Sequence, residues 1–135
     1  MSRSDLITKF NLNLVELIKK TDKYVNTAKE IEHMSRIKRL MRLCPVEEKF
    51  MKAMPVFINL APDILKKDIN RIAEHDYKQY MRDPNSNEDN NILEELLIII
   101  QKKYDNLDDS TREEYWKIII SMLQSILQYK KLELA

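Results

Sequence analysis

Glycine is missing altogether from these 135 residues, against roughly 7% in an average chain. Glycine supplies the positive-φ positions of tight hairpins and lets backbone approach phosphate groups closely. Its absence excludes a standard P-loop and a GxGxxG dinucleotide turn, since both need glycine at fixed positions. Sheets built on two-residue hairpins become poor candidates, and helices joined by short polar loops lose least. Cysteine is nearly absent too. Cys44 is the only one, so no intramolecular disulfide can form. The longest purely apolar run is 96–100, far short of the roughly 20 residues of a membrane span. Residues 1–10 contain no apolar h-region, so no signal peptide is expected.

Apolar residues make up 44% of the chain and charged residues 33%. That balance supports one packed core in a single domain, 1–135, rather than disorder from excess charge. The net charge is only +1, but it is unevenly placed. Residues 1–45 hold ten Lys/Arg and five Asp/Glu, whereas residues 83–114 hold three and ten. The asymmetry predicts two differently charged faces.

Apolar spacing is helical throughout. Leu6, Ile7, Phe10, Leu14, Leu17 and Ile18 make a first stripe, with Ser4 as its cap and an end near Tyr24. Thr27 and Glu30 have capping-box form, ahead of a stripe of Ile31, Met34, Ile37, Leu40 and Met41. Pro45 suits the first turn of a third helix, which Pro55 is expected to kink or end. Pro62 is expected to open a further segment carrying Ile64, Leu65, Ile69, Ile72 and Ala73. Residues 83–91 (DPNSNEDNN) read as a loop. Two more stripes follow. One runs from Ile92 to Tyr104. The other is opened by a Ser110–Glu113 capping box and carries Tyr115, Ile118, Ile119, Met122, Leu123, Ile126 and Leu127 to an end near Lys131. The pattern predicts an all-α protein, a compact bundle of about five to six helices.

No constellation points to catalysis. Glu30 and His33 have the ExxH spacing of carboxylate-bridged di-iron bundles, but those need a second such motif, and Ile72 stands three residues before His75. Cys44 has no local nucleophile signature with either histidine. Glu94-Glu95 and Glu113-Glu114 point about 100° apart on a helix and do not converge on a substrate. No enzyme activity, cofactor, metal, membrane contact or small-molecule substrate is expected. Two contact surfaces are. Met51 and Met54 offer an adaptable Met-lined protein surface. Trp116, at the edge of the final helix, is the residue expected to meet a protein partner or a second copy, with Ile119 in the core. The alternative is nucleic-acid binding through the basic cluster Arg36, Lys38, Arg39 and Arg42, which partly shares a helix face.

One resemblance covers roughly residues 6–131. Phe10-Asn11 is followed by Leu14 and Leu17, Pro45 by Phe50, and then comes Asp76-Tyr77. Ile92-Leu93-Glu94 and Ser110-Thr111-Arg112-Glu113-Glu114 lead to Tyr115, Leu123, Leu127 and Tyr129. This order resembles a family of small helical proteins of large nucleocytoplasmic DNA viruses of eukaryotes. Lys67-Asp68 stands where that family usually has Gly-Asp. The resemblance implies a non-catalytic interaction or structural protein of the virion or of the viral factory in the host cytoplasm. It carries over no catalytic residue.

Overall fold

The computed structural model describes residues 1–74 and 92–134. Among these there are six helices and no strand, as the periodicity requires: α1 (Arg3–Asp22), α2 (Ala28–Leu43), α3 (Val46–Leu65), α4 (Ile69–Glu74), α5 (Ile92–Tyr104) and α6 (Asp109–Leu134). The expected 83–91 loop, the Asp76-Tyr77 pair, His75 and Met81 lie outside the described residues.

Local chemistry sets the helix ends. Ser2, not Ser4, caps α1: its hydroxyl accepts from the Asp5 amide at 3.1 Å, and Asp5 accepts from the Ser2 amide at 3.2 Å. Only Ser2 has a carboxylate three residues on, so only Ser2 can close the reciprocal box. Thr27 and Glu30 form the expected box at α2. The expected Ser110–Glu113 box does not form, because Asp108 takes the amide of Thr111 at 2.7 Å and starts α6 earlier. A carboxylate is a strong N-cap and also complements the positive helix end. Glu113 instead reaches Lys67 at 3.0 Å.

α3 departs most from expectation. Pro45 is its N-cap, and the helix runs unbroken through both Pro55 and Pro62. Each interior proline costs about 3 kcal/mol. Against this, Phe50, Met54, Val56, Phe57, Leu60 and Ile64 are all buried along one continuous face, at about 1.5–3 kcal/mol each. Burial wins. Both prolines sit on the exposed face, where water reaches the carbonyls of Met51 and Ile58 that have lost their helical donors. α3 ends in a Schellman motif: Lys67 adopts φ 56°, and the amides of Asp68 and Lys67 return to the carbonyls of Asp63 and Ile64, both at 3.0 Å. A non-glycine residue therefore fills a left-handed position that glycine usually takes.

α1 packs along α6 and also touches α3 and α5, while α2 and α4 lie against α5. Phe10 sits at the junction, edge-on to Phe50 at 5.2 Å and to Phe57 at 5.7 Å; Phe50 meets Tyr129 at 4.9 Å. Ile119, Met122, Leu123 and Ile126 of α6 are buried as expected, but Leu127 is exposed, and so is Ile31 on α2. Between α1 and α6 the buried Thr21 hydroxyl donates to the Leu17 carbonyl at 2.8 Å and lies 3.2 Å from the Tyr115 hydroxyl.

Part of the charge asymmetry along the chain is bridged across helix contacts. Arg36 pairs with Glu95 at 3.1 Å, Lys103 with Glu30 at 2.9 Å, and Lys20 with Glu114. Two of these pairs join a base of the positive first third to an acid of the negative segment, so part of the asymmetry is consumed in docking helices on one another.

Candidate interaction surfaces

The expected contact residues separate once folded. Trp116 is only 2% exposed, and its indole N–H donates to the Tyr104 hydroxyl at 2.8 Å. The rings meet edge-on at 6.3 Å, and the Arg112 guanidinium lies 4.7 Å from the Tyr104 ring centre. Trp116 is thus a core residue, not the partner contact expected from its place beside the apolar stripe. The i, i+3 relation to Ile119 and the i, i+4 relation to Ile120 left its side undecided in sequence. Met54 is buried as well, whereas Met51 is 44% exposed. Three residues leave a net offset of only about 60° on a helix, so the two methionines straddle the edge of the buried face, Met54 just inside it and Met51 just outside.

The basic cluster on α2 is divided in the same way. Arg36 is directed at Glu95 of α5, and Lys38 pairs with Asp22 at the end of α1 at 2.6 Å. These two flank opposite sides of the helix. Arg39 and Arg42 alone remain on its outer face, beside the exposed apolar Ile31 and Leu43.

Two clefts among the described residues are lined largely by groups with structural partners. Between α2 and α5 a groove of about 270 Å³ is lined by Glu30, His33, Glu95 and Lys102 over Ile98 and Ile99. Glu30 is committed to its cap and to Lys103. The Lys103 ammonium first, and the amides of Asn26 and Thr27 with it, hold the Glu30 carboxyl down at about 2. Among the described residues no group of three or more His, Cys, Asp or Glu is placed to hold a metal. A second cleft has room for little more than one water, about 20 Å³. Cys44, Lys49 and Lys52 line it, with Phe10 and Leu93. Burial first, and the Glu48 charge next, push the Cys44 thiol up, away from the reactive thiolate. Lys49 is 8% exposed and donates to the Met41 carbonyl at 3.1 Å. It satisfies an orphan acceptor in the last turn of α2 and places a cation at that helix's negative end. Burial draws its ammonium pKa downward.

The outward side of α3 is different in kind. From 51 to 65 every exposed position is uncharged: Met51, Pro55, Ile58, Asn59, Pro62 and Leu65. Leu65 is 64% exposed and Ile58 37%. Met51, Ile58 and Leu65 recur every seven residues, which aligns them along one stripe. The nearby charges are turned aside: Lys52 to Glu48 at 3.0 Å, Asp63 to Arg71 at 3.3 Å. Asn59 donates to the Pro55 carbonyl at 2.8 Å, spending its polarity locally. Sequence reasoning reached Met51 but missed the rest of the face, because it took both prolines for helix boundaries. The seven-residue recurrence was the available signal.

Comparison with protein-family models, curated proteins and solved structures finds no match to the chain.

Proposed function

We propose that the chain is a non-catalytic interaction protein that works through protein–protein contacts, with the outward face of α3 as its contact surface. One observation carries this reading. A chain with 33% charged residues presents a helix face from 51 to 65 with no charge at any exposed position. A helix that is apolar on nearly all sides belongs in an interior, and an exposed apolar patch rimmed by charge marks an interaction site. The sequence resemblance adds the context of a large DNA virus, with the virion or the viral factory as the place of action. Nucleic-acid binding through α2 is the weaker reading, since Arg36 and Lys38 are engaged in pairs with acids of the same chain.

Ile58→Glu places a charge in the centre of the face at a position that is already part-exposed. After chemical cross-linking in the intact producing cells, the wild-type chain is expected in a complex larger than its own 16.2 kDa. Ile58→Glu is expected to release it while the purified variant keeps its melting temperature. A wild-type chain that is not captured in any complex, or a variant that stays in the complex, overturns the proposal.

A further inference from the structure

Resting on the reading of α3 as the contact face, we infer that its occupant is a second copy of the chain, paired antiparallel across α3 about a two-fold axis. The stripe has charged ends of opposite sign. Glu47 and Glu48 stand in the first turn of α3, and Lys66 follows its last residue with right-handed helical backbone. At 100° per residue, Glu47, Glu48 and Lys66 fall on the same side as Met51, Ile58 and Leu65. All three are exposed, and neither Glu47 nor Lys66 makes an ion pair with another described residue.

The order along this face is therefore acidic, then uncharged, then basic. Such a face complements its own reverse. Laid antiparallel, Glu47 of one copy meets Lys66 of the other, Glu48 meets Leu65, Met51 meets Pro62, and Pro55 meets Ile58. One two-fold axis generates all four pairs twice, as a closed isologous contact requires. A parallel arrangement would set Glu47 against Glu47 and Lys66 against Lys66, which repel. One helix of 20 residues offers an edge of roughly 30 Å. That is the low end of interface sizes, so the dimer dissociates in the micromolar range, on the order of 10–100 µM.

Sedimentation velocity of the purified full chain, from about 1 to about 500 µM, tests this across the expected dissociation constant. The wild type is expected to pass from monomer to dimer, while Ile58→Glu stays monomeric with an unchanged melt. Glu47→Lys and Lys66→Glu each turn two attractive contacts per dimer into repulsive ones and raise Kd about tenfold at low salt. Mixing these two variants in equal amounts restores wild-type affinity, because each supplies the charge the other lacks; the double variant Glu47→Lys/Lys66→Glu restores it alone. The inference is overturned if the wild type remains monomeric throughout, if the single reversals leave Kd unchanged, or if neither the mixture nor the double variant recovers. A monomeric wild type whose cellular complex is still lost on Ile58→Glu removes the second copy and leaves the contact face. A monomeric wild type whose complex survives that change removes both.

Discussion

Truncating Trp116 to alanine separates a core indole from a contact indole most sharply. The side chain is nearly sealed from solvent. Its removal costs about 3–5 kcal/mol in transfer and cavity terms, and that range takes in the edge-on contact with Tyr104. The lost hydrogen bond to the Tyr104 hydroxyl adds about 1 kcal/mol. The perturbation reaches further than the ring, because Tyr104 ends α5 and its carbonyl accepts from the Arg112 guanidinium of α6 at 2.9 Å. The α5–α6 corner is thus built around this one indole. At about 3–5 °C per kcal/mol for a domain of this size, Trp116→Ala is expected to lower the melting temperature by about 12–30 °C. Trp116→Phe keeps most of the buried area and gives up the donor, for about 1–2 kcal/mol. Calorimetry or circular dichroism measures both. Fluorescence adds an independent check: the chain has one tryptophan, so its blue-shifted native emission and red shift on unfolding report this site alone. If Trp116→Ala melts within a few degrees of wild type and weakens self-association instead, the indole faces a partner and the placement of α6 against α5 is wrong.

Three further outcomes follow from single features. The Glu30 carboxyl lies at about 2 in the fold against an ordinary 4.5; a depressed acid stabilises the fold above its unfolded pKa and loses that contribution as pH falls from about 4.5 to about 2. Melting temperature measured across that window should therefore fall less steeply in Glu30→Gln than in wild type; parallel curves refute the assignment. Lys67→Gly relieves a left-handed residue of about 1 kcal/mol or slightly more, against a few tenths for the lost exposed pair with Glu113; urea midpoints should rise, while Lys67→Val, β-branched at positive φ, should lower them. Pro55→Ala with Pro62→Ala restores two helical hydrogen bonds and should raise the melting temperature, yet it should also speed aggregation in heat-ramped light scattering; slower aggregation would contradict the role given to these prolines below.

The all-α fold class was legible because the signals behind it are local and repeated. Stripes at helical spacing gave a bundle of about five to six helices, and the Thr27–Glu30 box gave the start of α2 to the residue. Errors fell where two local rules competed. Ser4 and Ser110 are good caps, but Ser2 wins at α1 because Asp5 stands three residues on, and Asp108 wins at α6 because its own carboxylate takes the Thr111 amide although Ser110 has Glu113 three residues on. At α3 the rule that proline ends a helix lost to tertiary burial, which no window of sequence registers. Contact surfaces were harder still. Which of Met51 and Met54 faces out, and whether Trp116 looks into the bundle, depends on the rotation of each helix about its axis, fixed only when all the helices pack. Charge misled for the same reason: Arg36 and Lys38 read as a surface cluster, and the fold points them at Glu95 and Asp22.

The prolines of α3 connect the fold to its proposed use. Between them lie Val56, Phe57, Ile58, Asn59, Leu60 and Ala61, six uncharged residues, several of them β-branched or aromatic. Released from the bundle, that segment has the composition of a self-pairing strand. Proline on either side removes a backbone donor at each end and blocks extension of a ladder. A charged gatekeeper would do the same in the unfolded chain, but on the outward face it would also interrupt the stripe that the contact needs. Proline is the residue that breaks a strand while leaving the surface uncharged. The helix tolerates it because both rings lie on the exposed side, where the freed carbonyls meet water. Under the proposed function, the same two positions keep the face apolar for a folded partner and guard it against an unfolded one.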